Sequence, residues 1–549
     1  MKNIFSYIII VLLLVSCNDF LDYNEYDFLE KDDVFTTYDR TRASLTNLYG
    51  VIPNSGIDDI GGSMRSSATD DAIEADKSRT IHIMNDGRWS AIRTIDEQWS
   101  QMYAGIRSAN VFLANYDMSV LETYHYNDTY QDMLLEYGLF DEQARFLRAF
   151  FYYELLRRYG QLPLLEDKIL TMDEVNNVTP SSFEAVVNYI VSECDAIVGE
   201  LPVNYSAFTG DQNGRITKGV AMALKAKVLL LAASQLHNPE NTQQKWIAAA
   251  KASWDIIEKG WYSLETNYSS VVNNSASKEL IFGRRRSADN SFEKRNFPVG
   301  YVGALPGNCP TQNLVDCYRM TNGKSIDDPN SGYDPANPYA NRDSRLLKTI
   351  IVNNSVWKSR NVEIWNGGLD GLPKEYATET GYYLKKYVVE TVNLDPSYTT
   401  TARHLTVIFR YGEVLLNYAE AMNEAYGPTY KSPELDMSAY EAVNLIRGRS
   451  SMPNFEAGMN KDQFRNELRN ERRVELAFED IRFWDIRRWK IGNLTTNIKG
   501  TTVTKNEDGT FMYSTKNVET RTWDDKMYFY PIPQDELFKN KNLVQNLGW

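Results

Sequence analysis

Apolar residues recur along this chain at helical spacing, and the helices they predict come in pairs. In the segment 142–159, Phe146, Ala149, Phe150, Tyr153 and Leu156 follow the i, i+3, i+4, i+7 rule of one buried face. Ala221, Leu224, Val228 and Leu231 do the same further on, with alanines where neighbouring helices must approach closely. The pattern predicts helices over 39–51 and 95–116, 142–159 and 181–200, 218–236 and 243–259, and 407–426 and 439–449. A further strong helix is predicted over 462–478. Consecutive antiparallel pairs predict a mainly α chain, an α-solenoid of four tetratricopeptide-like helix pairs. No clean 34-residue period is present, so the repeats are degenerate or interrupted.

Between 262 and 406 the texture changes: Gly, Pro, Asn and Asp become frequent and apolar runs become short. Segments 349–352 and 382–389 read as strands, and Asn366-Gly367-Gly368 and Asp370-Gly371 read as turns. A second irregular block spans 492–533, where Asp508-Gly509 between two strand-like runs predicts a hairpin. Loops of this length inside a compact protein are usually functional. The expected organisation is a helical scaffold over about 34–261 and 407–491, carrying a loop-rich ligand-binding half over about 262–406 and 492–533. Together these form one domain, 34–549.

Composition changes the picture in three ways. The net charge is −14, which argues against nucleic acid, whose binding rests on phosphate neutralisation. The 35 Tyr and 11 Trp exceed the needs of core packing, and their apolar bodies with polar tips suit wet recognition surfaces. The amino end carries Lys2 and an apolar run, 4–15, too short to span a bilayer, which needs roughly 20 residues. That run closes on Leu14-Val15-Ser16-Cys17, which resembles the bacterial lipobox. Residues 1–16 are then a lipoprotein signal peptide, Cys17 is the lipidated (palmitate-bearing) anchor, and the acidic stretch 17–33 is a solvated tether. A multiply acylated cysteine holds a protein on a membrane without a spanning helix.

Catalytic and metal signatures are missing. There is no GxSxG, HExxH or phosphate-binding glycine loop, and His82, His125, His237 and His404 are scattered. Cys194, Cys309 and Cys317 show no zinc spacing; Cys309 and Cys317 could bridge a short loop, and three free thiols are the expectation. Glu413 and Glu420 share one helix face roughly 10 Å apart, too far for a retaining glycosidase and marginal for an inverting one. They are expected to be neutralised in a buried network drawn from Arg410, Arg447, Arg472 and Arg473. Trp484 and Trp489 are expected in the core. The chain is expected to be no enzyme and to hold no cofactor or metal.

Four stretches match one family pattern. They are Arg145 to Pro163; Pro310-Thr-Gln-Asn-Leu-Val-Asp316 with Met320-Thr-Asn-Gly323; Arg410 to Ala421 with Arg447-Gly-Arg449, Glu471 to Glu479 and Arg482-Phe-Trp-Asp-Ile-Arg-Arg-Trp489; and Pro531-Ile-Pro533 with Asn542 to Gly548. Together with the lipobox, they resemble the SusD/RagB family of outer-membrane nutrient-binding lipoproteins. The resemblance implies a surface-exposed protein, lipid-anchored in the outer membrane and lying over a SusC-like TonB-dependent transporter. Its cargo would be a glycan, or in some branches a peptide. A lipid-anchored hydrolase is the remaining, weaker reading.

A sugar ring offers apolar C–H faces and a rim of hydroxyls, so a receptor meets it with flat aromatics and with Asp, Asn, Arg and Gln. In the loop between the first two helices, Asp70, Asp71, Arg88, Trp89 and Arg93 combine both kinds of group. In the central block, Tyr301, Trp357 and Trp365 lie outside any helical face, and the turn after Trp365 is placed to push its ring outward. Because ligands in the SusD family resemble something held between such loops, these two regions are expected to act together.

Overall fold

The first long helix, α1 (Tyr38–Gly50), starts where the Thr37 hydroxyl accepts the N–H of Arg40, satisfying a donor that no helical carbonyl can reach. Similar devices set the later ones. Ser182 caps α4 (Phe183–Ile197), and reciprocal capping boxes start α8 (Ala439–Arg449) at Ser438 and α9 (Lys461–Glu475) at Asn460. Between them lie α2 (Trp99–Asn115), α3 (Phe140–Tyr159), α5 (Lys218–Ala233), α6 (Gln243–Ile257) and α7 (Tyr411–Tyr426). The computed structural model describes residues 31–53, 56–210 and 212–549. Cys17, the signal segment and most of the acidic tether lie outside the described residues.

Neighbouring helices pack in chain order: α2 on α3, α3 on α4, α4 on α5, α5 on α6, α6 on α7, and α7 on both α8 and α9. The architecture is mainly helical, with the pairs falling where the periodicity places them. One long apolar cluster runs through all of them. Helix α3 is buried around almost its whole circumference, so its charged residues must be paired inside. Arg157 and Arg158 share Glu154 at 2.7 and 2.6 Å, and Arg148 meets Glu193 at 2.9 Å. Glu193 on α4 also takes Arg145.

The predicted helix 407–426 is corrected at its start. Leu405–Arg410 is a strand (β8) paired antiparallel with β2 (Leu280–Arg285), and α7 begins only at Tyr411. Thr406, Val407, Ile408 and Phe409 are β-branched or aromatic and fit a pleated, half-buried surface. The strands of the central block are shorter than expected. Segment 349–352 contributes β4 (Ile350–Ile351), paired with β7 (Tyr383–Leu384), which is all that forms within 382–389. The Asp508-Gly509 turn does join a hairpin, and a long one: β9 (Asn497–Lys505) against β10 (Phe511–Thr520). Of two smaller apolar clusters, one sits in the loop-rich half and the other joins that half to the first loop and to the end of α9 through Val474, Ala477 and Phe478. Cys194, Cys309 and Cys317 are free thiols, and burial pushes the Cys309 thiol up to about 12.

Candidate functional site

The turn after Trp365 is built on glycine. Gly367 has φ +90° and donates its N–H to the Leu372 carbonyl at 2.7 Å, while Gly368 donates to the Trp365 carbonyl at 2.8 Å. A Cβ on Gly371 would sit inside contact distance of the Trp365 carbonyl. Asn366 then donates its N–H to the Val503 carbonyl on β9 at 3.2 Å, which ties the turn to the hairpin. Held this way, the half-buried Trp365 ring lies 5.3 Å from the Phe511 ring at 33°, with the Lys505 ammonium 4.5 Å from its centroid. Tyr513, two residues on from Phe511, falls on the same face of β10 and meets Tyr339 edge-on at 5.5 Å. The result is a platform of half-exposed aromatics with one ammonium at its edge. It presents ring faces and donors.

Tyr301 stands in the same half. Its hydroxyl donates to the Trp357 carbonyl at 2.7 Å, and burial pushes that phenol up to about 12. The Arg360 guanidinium lies 4.1 Å over its ring, held there by both oxygens of Asp370 at 2.6 and 2.8 Å. Trp357, in β5 (Val356–Trp357) paired with β6 (Arg360–Asn361), is 1% exposed and packs edge-on against Phe297. It is a core residue, a correction to its expected place on the surface.

The loop between α1 and α2 is used differently from its expected role. Trp89 is 2% exposed, edge-on to Trp549 at 4.5 Å and to Tyr530 at 5.2 Å, so it too belongs to the core. Asp70 and Asp71 are buried and clamp the loop to the helical half. Asp70 meets Arg482 at 2.9 Å and Arg473 at 3.0 Å, and Asp71 meets Arg473 at 2.7 Å. Burial acts to raise the Asp70 carboxyl, but Arg473 and Arg482 together hold it below the usual range. For Asp71 burial prevails over Arg473 and the carboxyl is raised. Arg88 and Arg93 are exposed, the first paired with Asp86. The loop does reach the central block, through β1 (Ala72–Glu74) paired with β3 (Asn308–Pro310). Its Trp89 end instead packs beside the C-terminal tail, with Gln534 donating its N–H to the Ala91 carbonyl. Tyr301, Trp357 and Trp365 thus share the loop-rich half, while Arg88, Trp89 and Arg93 lie with the tail. Phe511, Tyr513 and Lys505 were absent from the expected set. Their signal was the alternation around the Asp508-Gly509 turn.

The two helical carboxylates are ion-paired as expected, with Arg472 from the expected set and Lys227 and Arg488 in place of the others. Glu413 meets Lys227 at 2.9 Å and Arg472 at 3.7 Å. Glu420 accepts both Nη atoms of Arg488, at 2.6 and 2.7 Å, and the Trp489 indole N–H at 2.7 Å. Arg410, Arg447 and Arg473 pair elsewhere. Trp484 and Trp489 are buried, as expected. Burial acts to raise the Glu420 carboxyl, but Arg488 overcomes it, and the pKa falls from 4.5 to about 2. A carboxyl depressed on folding contributes stability above its unfolded pKa, and that stability is lost as pH falls through the folded value. Acid unfolding should therefore deepen between about pH 4.5 and 2. Glu420→Gln is expected to flatten that part of the profile and to lose on the order of 3 kcal/mol at pH 7. Urea titrations at pH 7, 4 and 3 check this, and a variant whose pH profile parallels the parent's would refute it.

The chain has relatives of known description. The model of the SusD family matches residues 265–549, more than half of the chain. A SusD-like protein of Formosa agariphila is 23% identical, over 99% of this chain and 98% of its own length. The crystal structure of a SusD-like protein from Bacteroides fragilis superposes with a TM-score of 0.77 at 26% identity, covering 94% of this chain and 98% of that one. A SusD-like carbohydrate-binding protein from the same species superposes with a TM-score of 0.72 at 26% identity, covering 93% and 100%. With its helix pairs, its loop-rich half and the four sequence stretches in order, this chain belongs to the SusD family.

Proposed function

We propose that this protein is a cell-surface glycan receptor of the outer membrane. In this reading a lipid on Cys17 tethers it, and it passes oligo- or polysaccharide to a SusC-type TonB-dependent transporter. The observation that carries the reading is the Trp365–Phe511 platform, two half-exposed rings fixed by a glycine turn and a hairpin, with Lys505 at the rim. Such a surface stacks on the C–H faces of a sugar and donates to its hydroxyls. The Bacteroides fragilis relative described as a carbohydrate-binding protein supports glycan as the cargo.

Affinity electrophoresis through gels cast with individual polysaccharides tests the cargo. Retardation by at least one glycan is expected; retardation by none, with saturable peptide binding, would transfer the reading to peptide. In cells lacking the transporter, Cys17→Ala is expected to move the protein from the membrane pellet to the soluble fraction, because acyl chains contribute on the order of 0.8 kcal/mol per buried CH₂. A Cys17→Ala protein that still pellets with membranes would end the tether reading. Co-purification of a transporter from detergent-solubilised outer membranes tests the partner.

A further inference from the structure

A second cleft, of about 540 Å³, opens on the helical half, away from the aromatic platform. It lies between α7, α9, the α5–α6 connection and the residues that follow the short helix α10 (Arg482–Arg488). Two carboxylates face it, and both are already occupied. Glu420 is held by Arg488 and Trp489 as described above. Glu424, one turn further along α7, receives Nε and Nη2 of Arg465, each at 2.6 Å.

The cations do not balance in the same way. Arg469, one turn beyond Arg465 on α9, lines the cleft but makes no hydrogen bond and no ion pair among the described residues. Its guanidinium carbon lies 4.5 Å from the Trp489 ring centroid, and its Nε is buried without a partner. Burial lowers its pKa even against the raising influence of Glu420 and Glu424, so an anion bonded directly to it would relieve a desolvation cost. Lys490, at the mouth, is exposed and has no ion pair among the described residues. Asn241, which also lines the cleft, uses its Oδ1 to accept the Trp246 indole N–H at 2.7 Å, and its side-chain amide nitrogen makes no hydrogen bond among the described residues. Donors without partners, on two cations that make no ion pair among the described residues, therefore line a space of the size of small-molecule sites, roughly 300–1,000 Å³. A guanidinium with a free edge is matched by a carboxylate or sulfate, which accepts two parallel N–H bonds. The amides of Asn241 and Gln235 suit hydroxyls beside it.

We propose that this cleft binds an oxyanion carried on a small hydroxylated ring, an acidic monosaccharide in size and chemistry, with Arg469 gripping the anion and Lys490 guarding the mouth. The proposal does not depend on the glycan reading of the aromatic platform.

Calorimetric titration of the full chain in detergent tests it, with glucuronate, glucose and inorganic sulfate as probes. Glucuronate is expected to bind saturably and glucose not at all. Arg469→Gln is expected to weaken glucuronate by about tenfold or more, the value of a lost charge-assisted hydrogen bond. Lys490→Gln changes an exposed side chain, so the fold should be untouched, and a loss of about threefold is expected. Absence of saturable glucuronate binding, or binding unchanged in both variants, overturns the site. Sulfate binding as tightly as glucuronate overturns the assignment to a sugar-sized acid. Trp365→Ala is expected to leave glucuronate binding unchanged, and its loss there would place the acid on the platform and overturn the proposal.

Discussion

Replacing Arg410 with alanine is expected to lower stability by about 3–5 kcal/mol, the cost of stranding buried charge. Arg410 is 1% exposed, and its guanidinium serves three carboxylates at once. Nε and Nη2 meet the two oxygens of Glu479 at 2.6 and 2.9 Å, and Nη1 meets Glu475 at 2.8 Å and also Glu279. All three acids are buried, and the other cations take only part of their charge: Lys386 meets Glu479 at 2.6 Å, Arg345 meets Glu475 at 2.9 Å, and Arg449 meets Glu475 and, at 3.5 Å, Glu279. Opposed to these pairs is the cost of moving each ion out of water, so the network adds little compared with an apolar core of equal volume. Removing one cation is a different matter, because three carboxylates then compete for what remains. The position compounds the effect: Arg410 ends β8 and immediately precedes α7, Glu279 precedes β2, and Glu475 ends α9. One side chain thereby couples the loop-rich half to the helical half. Arg410→Lys keeps the charge but loses the planar fork, and should fall between alanine and the parent. Urea midpoints followed by circular dichroism and by tryptophan fluorescence measure this; a loss below about 1 kcal/mol would show that the network behaves like an exposed one.

The helices were legible in the sequence because their determinants are local. Caps, periodicity and alanine contacts all fall within a few residues of one another, so 218, 243, 439 and 449 were placed where the structure has them. The start of α7 was not legible. An apolar run followed by a helical stripe fits helix or strand equally well locally, and β2, the partner that decides it, lies far upstream. The same limit governs the site. Asp71 and Arg473 are 402 residues apart, and Trp89 is buried by the final residue of the chain. Nothing within the first loop could announce either contact. Aromatic residues with polar neighbours read alike whether a distant segment covers them, as at Trp89 and Trp357, or leaves them half-open, as at Trp365. The Asp508-Gly509 turn was visible, but not that Phe511 beyond it would lie against Trp365.

That distinction makes the tryptophans the sharpest test of the binding reading. Trp365→Ala is expected to weaken binding of whichever polysaccharide retards the parent by about 2 kcal/mol, roughly thirtyfold, as large anchoring rings at recognition surfaces do. Phe511→Ala should act in the same direction, since it removes the ring against which Trp365 lies. Thermal unfolding should barely move in either variant, because a half-exposed ring leaves no cavity when truncated. Trp89→Ala and Trp357→Ala should do the reverse. Each empties a volume lined by other rings, at a cost of about 3–5 kcal/mol, and any loss of binding would follow from unfolding. Calorimetric titration and melting curves on all four variants separate the two behaviours. A Trp365→Ala protein that binds as the parent does would remove the platform from the mechanism. One that melts as early as Trp89→Ala would show that its ring, too, serves the core.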